Sequence, residues 1–200
     1  MVDLKKTGLA LAVAGCFLAS AAQAQVPSTS IIDRAFINDL RTYVKTEIVV
    51  QSVLNQNKRY AGLKQTQIEA LDTKWRQEHD LSSKPMISAT LSNPLSSYLT
   101  RVQAHSIGLY SEIFVMDDKG LNVGQSNISS DFWQGDEAKW QKTFLKDGNA
   151  FFVDDPEWNS DTKTWRVQVN IAIPSPQDGA PIGAATFEVN LTELMRRRGV

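Results

Sequence analysis

Two hydrophobic periods divide this chain. From Ile31 onward apolar positions recur at steps of three to five, through Ile32, Phe36, Leu40, Tyr43 and Ile48, and return at Leu54. That spacing predicts one long helix from Ile31 to about Tyr60, with Ser30 as its N-cap and Ala61-Gly62 ending it. "TQIEALDTKWRQEHD" then opens with Thr66 and Glu69 at capping-box spacing and carries Ile68, Leu71 and Trp75 as its apolar stripe. "LSSKPMISATLSNP" reads as a loop. Pro94, after Asn93, suits the first position of a third helix with Leu95, Tyr98, Leu99 and Val102 turned inward.

After Ser106 the period shortens to two. "LYSEIFVMD" (109–117) reads as a strand, "DKG" (118–120) as a turn and "LNVGQS" (121–126) as its hairpin partner. "AFFVDD" (150–155) is a short strand and "PEWNSDTKT" a hairpin loop. "WRVQVNIAI" (165–173) alternates, with Trp165, Val167, Val169, Ile171 and Ile173 on one face and Arg166, Gln168, Asn170 and Ala172 on the other. "IGAATFEVNL" (182–191) follows the turn at Asp178-Gly179, and "TELMRRRGV" closes the chain as a short helix. Its three arginines suit the C-terminal dipole of a solvated end.

This order predicts an α+β fold: long N-terminal helices packed on one face of a five-stranded antiparallel sheet, with a helix inserted after the second strand. A sheet covered on one face only still has a second face to bury. "SDFWQGDEAKWQKTF" (130–144), whose helix is expected over Asp136 to Leu145, leaves the second strand and returns to the third, so it can cover that face. Its mixture of aromatic, acidic and basic residues suits neither a purely buried helix nor a solvated loop.

The first 24 residues have a different character. "MVDLKK" is a basic start, "TGLALAVAGCFLASA" an apolar core too short for a stable span, and Ala22-Gln23-Ala24 fits a small-x-small cleavage rule. The expectation is a signal peptide over 1–24, one mature domain over 25–200, and a periplasmic or secreted location. The lone cysteine, Cys16, gives a second reading, since "VAGC" resembles a bacterial lipoprotein box. Under either reading the mature domain has no disulfide, and its core must supply the stability.

Composition narrows the partners. The chain has 200 residues, 42% hydrophobic and 22% charged, and a formal net charge of −1, so no basic field exists to attract nucleic acid. "DPEWNSD" alternates carboxylates and an amide from Asp155 to Asp161 but lacks the glycine and closing glutamate of a calcium loop. His79 and His105 are far apart in sequence and have no matching cysteine, so no metal is expected. No nucleophile elbow or phosphate loop is present, and the pairs Asp117-Asp118 and Asp154-Asp155 adjoin turns, where aspartate is expected. No cofactor and no enzymatic activity are expected.

Three stretches, in this order and spacing, resemble the extracytoplasmic PAS-like sensor domains of the Cache or PDC family. They are "IFVMDDKGLNVGQS", "SDFWQGDEAKWQKTF" and "IAIPSPQDGAPIGAATFEVNL". The resemblance covers about residues 30–195. It implies a small-molecule pocket roofed by the segment after strand two. It also implies signalling through a membrane-bound receptor or kinase, which would be a separate partner because only "TELMRRRGV" follows the last strand. "EAKW" (137–140) departs from the family's Arg-Pro-Tyr-Phe-like run, so ligand class does not transfer with the fold, and amino acids and carboxylates both stay open.

On that resemblance Trp133 and Trp140 would be walls, Asp131, Asp136 and Asp154 acceptors, Lys139 and Arg166 cationic contacts, and Tyr110 and Ser126 rim groups. Each has a plainer reading. Trp140, four before Phe144, suits a buried helical stripe; Trp133 can plug the sheet end; Asp136 can be an N-cap; Lys139 and Arg166 can be solvated. The other function class is an interaction module working through the first helix, a common dimer surface in membrane-bound relatives, either by pairing in a homodimer or by docking on a receptor. Val49, Val50 and Val53, off the main stripe, point that way.

Overall fold

A computed structural model describes residues 26–200. The signal-like segment, with Cys16 and Ala22-Gln23-Ala24, lies outside the described residues.

The first helical stretch is two helices rather than one. α1 (Arg34–Val44) is capped not by Ser30 but by Asp33, whose Oδ1 accepts from the Phe36 amide at 2.8 Å. The helix ends at Lys45, and α2 (Glu47–Tyr60) starts afresh after Thr46. The new start resets the helical face. Val49, Val50 and Val53 therefore join Phe36, Ile37, Leu40 and Val44 in the core, leaving no apolar stripe of theirs exposed.

α3 (Gln65–His79) is opened by Gln67, whose side chain accepts from the Lys64 amide at 2.9 Å, two residues earlier than the Thr66–Glu69 expectation. The stretch expected as a loop contains α4 (Pro85–Leu91). Glu78 of α3 makes it possible: its Oε2 accepts from the Met86 and Ile87 amides at 2.8 and 3.0 Å, satisfying donors at the new helix's start. α5 (Pro94–His105) forms as expected, with Asn93 Oδ1 accepting from the Ser96 amide at 2.8 Å.

The strands are β1 (Tyr110–Met116), β2 (Asn122–Gln125), β3 (Phe151–Val153), β4 (Glu157–Asn159), β5 (Thr164–Pro174) and β6 (Pro181–Asn190). All pairings are antiparallel, in the order β2-β1-β6-β5-β3, with β4 also on β5. The sheet thus has six strands rather than five. The extra one is part of the expected hairpin loop, where Trp158 sits opposite Trp165 and packs edge-on to it at 5.5 Å.

Alternation along the strands sorts the two faces as the sequence predicts. Ile113, Val115, Val167, Val169, Ile171, Ile173, Ala185, Phe187 and Val189 enter the main core with α1, α2, α5 and α7 (Leu191–Arg198). The other face carries Phe114, Met116 and Ala184 beside Glu112, Glu188, Arg166 and Gln168. α7 is pinned rather than free. Arg197 donates to the carbonyls of Ser106 and Ile107, and Arg198 pairs with Asp33 at 2.9 Å.

The β1–β2 turn is locked by α2. Asp117 Oδ1 accepts from the Lys119 and Leu121 amides, while Gln56 Nε2 donates to its other oxygen at 3.0 Å. Burial pushes the Asp117 carboxyl above its ordinary range, against the downward pull of Gln56 and those amides. Gly120, at φ +80°, closes the turn, and a Cβ there would strike Gly135. Among the described residues no helix is long and apolar enough to cross a membrane.

Candidate functional site

The segment after β2 splits into two parts with different jobs. Residues 129–135 run along the free edge of β2 rather than over the sheet. Leu121 bridges Trp133, the Asn122 amide donates to the Phe132 carbonyl, and the Gln134 amide donates to the Gly120 carbonyl. α3 holds this stretch. Asp72, buried, accepts from the Phe132 and Trp133 amides at 2.9 and 3.0 Å, and Trp75 Nε1 donates to the Ser129 carbonyl at 2.9 Å. Trp75 and Phe132, with ring centroids 5.3 Å apart, anchor a second, smaller core with Ile68, Ile87 and Leu121.

Only the second part covers the sheet. Its helix, α6 (Ala138–Gln141), is a single turn and shorter than the expected 136–145. Trp140 stacks on Phe144 at 4.8 Å, and the pair packs on Phe114, Met116 and Ala184. Trp140 Nε1 donates to the Asp117 carbonyl at 3.1 Å, which ties the cover to the locked turn.

Between α6, the β3–β4 connection and the polar face of β5 and β6 lies a cavity of about 180 Å³. Glu137, Lys139, Asp154, Arg166, Gln168 and Glu188 line it, with Asp155, Glu157 and Val167. Three of the nine residues expected at a site meet here: Lys139, Asp154 and Arg166. The other six do not. Tyr110 points into the main core, between Tyr43 and Phe187, because its place on β1 belongs to the opposite face; burial there raises its hydroxyl pKa. Ser126 Oγ accepts from the Ile113 amide at 2.8 Å and is consumed in strand pairing. Trp133 donates its Nε1 to the Lys119 carbonyl at 2.8 Å and belongs to the second core. Asp131 lies on the same side, 3.3 Å from Arg76. Asp136 is exposed and caps nothing, since Glu137 holds the N-cap position of α6. Trp140 packs as a helical stripe beside the cavity rather than as its wall.

The charges in the cavity are partly spent. Lys139 Nζ lies 2.9 Å from Glu137, donates to Gln134 Oε1 at 3.1 Å and sits over the Phe114 ring. Arg166 pairs with Glu188 at 2.7 Å, and Glu188 Oε1 also accepts from Ser111 Oγ at 2.5 Å. Asp154, Asp155 and Glu157 have no basic partner among the described residues. The cavity therefore offers unpaired negative charge.

One residue that the sequence did not single out is Glu112. It stands directly across from Glu188 on the neighbouring strand, and its Oε1 has no hydrogen-bond partner. Burial, and then the Glu188 carboxylate, push its pKa up to about 7, against the pull of Lys139 and Arg166. Its signal in the sequence was a lone charge inside "YSEIFVM", and Glu188 inside "ATFEVN" is the same signal. Among the described residues no cluster of His, Cys, Asp and Glu has metal-binding geometry.

No family description and no curated protein matches the chain. Solved structures do. The ligand-binding domain of the Campylobacter jejuni chemoreceptor Tlp3, in complex with 4-methylisoleucine, is 16% identical with a TM-score of 0.38, over 84% of this chain and 63% of that one. The ligand-binding domain of the Pseudomonas aeruginosa amino acid chemoreceptor PctC, in complex with GABA, is 14% identical with a TM-score of 0.36, over 82% and 63%. The sensor domain of the Vibrio cholerae histidine kinase DctB is 12% identical with a TM-score of 0.37, over 81% and 58%. All three are sensory domains, the class that the sequence resemblance names. The chain spans 63%, 63% and 58% of their lengths.

Proposed function

We propose that this chain is a small-molecule-binding sensor domain of the periplasm that works with a separate membrane-bound receptor or kinase, and that its ligand is a compact amine, amino acids included. The observation that carries this reading is the cavity beneath α6. Its two cations are each paired, while Asp154, Asp155 and Glu157 are not. An ammonium entering it would meet uncompensated carboxylates, half-buried Asp154 and exposed Asp155 and Glu157, with which it can form charge-assisted hydrogen bonds. At about 180 Å³ it is smaller than a drug-sized site, which favours a ligand of few heavy atoms. The single-turn cover is held by the stacked Trp140–Phe144 pair on Phe114, Met116 and Ala184, by one indole hydrogen bond, and by Lys139 and Lys142; an ammonium that draws on the carboxylates beside Lys139 can shift it and so pass a change to the surface.

A thermal-shift panel of putrescine, amino acids and short carboxylates tests this on wild type and on Asp154→Asn/Glu157→Gln. A ligand binding only the folded state adds ~2.7 kcal/mol at a hundredfold over its Kd. Stabilisation by an amine, lost in the double variant, is expected. Stabilisation by carboxylates alone, or by an amine equally in both proteins, would sink the amine reading. The competing reading, an interaction module working through the first helix, rested on Val49, Val50 and Val53, and these are buried.

A further inference from the structure

The helical side of the molecule holds a second and larger concavity, a groove of about 690 Å³ bounded by α2, α3, α4 and α5 with β2 at its floor. Its size falls within the range of small-molecule sites, about 300–1,000 Å³. The walls differ in chemistry. On α2, Gln51, Asn55 and Arg59 follow one another at i, i+4 and i+8, forming a single ridge, with Ser52 beside it. None of these four side chains has a hydrogen-bond or ion-pair partner among the described residues, whereas the adjoining Gln56 is fully engaged with the β1–β2 turn. The facing wall and floor are mainly apolar, with Leu71 of α3, Met86 and Ala89 of α4, Val123 and Phe132, interrupted by Thr90, Asn93 and Asn122.

The charge is one-sided. Arg59 from α2 and Lys74 from α3 line the groove, neither is in an ion pair, and no carboxylate lines it. In a chain with 22 acidic and 21 basic residues, an acid-free concavity with a cation on each of two walls is not the average surface. A merely solvated helix face would account for the polar ridge. It would not account for an apolar wall left open opposite that ridge.

We propose that this groove binds a facially amphipathic organic anion, a carboxylate or sulfonate with hydrogen-bonding groups along one edge and an apolar opposite face. The anionic head lies between Arg59 and Lys74, the polar edge along Gln51, Ser52 and Asn55, and the apolar face on Met86 and Ala89. The site is separate from the cavity beneath α6 and shares none of its lining residues.

Isothermal titration of the protein with sodium cholate, kept below its micellar concentration, tests the proposal. Two groove variants act by different means: Arg59→Glu/Lys74→Glu reverses the charge at exposed positions, and Ala89→Trp fills the space. Saturable binding by wild type, weakened about tenfold or more in both groove variants and unchanged in Lys139→Ala, is the expected result. The proposal fails if wild type shows no saturable binding, or if both groove variants bind cholate as wild type does. Because Lys139 lines only the other cavity, failure here leaves the amine reading untouched, and the reverse holds.

Discussion

Glu112 shows how a single residue ties stability to pH. Its carboxyl is raised from 4.5 to about 7 by burial and by Glu188. Between those values the folded protein holds a proton that the unfolded chain has released, so stability falls as pH rises through the window and levels off above it. The full effect is about 3 kcal/mol at most. Urea unfolding between pH 4.5 and 7.5 should show this fall in wild type and a much flatter profile in Glu112→Gln. Equal slopes in the two proteins would mean that other groups carry the titration. The residue scale is also where sequence reading was least complete. Lys139, Asp154 and Arg166 were identifiable as polar groups on the right segments. Tyr110 failed because the register of β1 turns it to the core face, and Ser126 because periodicity does not by itself say which hydroxyls are consumed inside the sheet.

At the scale of elements, the stretch along the free edge of β2 depends on a helix far away in sequence. Asp72 of α3 accepts from two consecutive amides of the 129–135 stretch and also pairs with Arg76. Asp72→Ala would strand those donors, one of them fully buried, at a cost of about 2–4 kcal/mol. Asp72→Asn keeps an acceptor and should cost roughly half as much. Chemical denaturation of both variants checks the order, and equal losses would show that the ion pair matters more than the amides. The same logic explains α4. "PMISATL" carries no acidic or hydroxyl N-cap of its own, and Glu78, eight residues before Met86, supplies the acceptor. The split between α1 and α2 is similar: "TYVKTEIVV" keeps an apolar repeat across Lys45-Thr46, so periodicity joins what the backbone separates.

At the scale of the whole molecule, the sheet and its cover differ in how firmly they are held. β5 and β6 are paired on both sides and fully buried at Val169, Ile171, Ala185 and Phe187, while α6 is one turn held by a few contacts. Hydrogen exchange should therefore be slowest in central β5 and β6 and fast at Ala138–Gln141. An amine bound beneath α6 should slow exchange at α6 and leave the strand centres unchanged. Protection of α6 equal to that of β5 before any ligand is added would rule out a movable cover.

The sequence by itself determined the class of fold, because two-residue and 3.6-residue periods are written directly in "WRVQVNIAI" and in the apolar steps from Ile32 to Leu40. It determined the Asp117–Gly120 turn and the Asn93-Pro94 helix start, whose chemistry is local. Which carboxylates stay unpaired, which tryptophans are core, and that two concavities of opposite charge share no lining residue were settled by tertiary packing alone. Those features depend on residues brought together from distant parts of the chain: Arg59 with Lys74, Glu112 with Glu188, Asp72 with Phe132. No local pattern encodes such meetings.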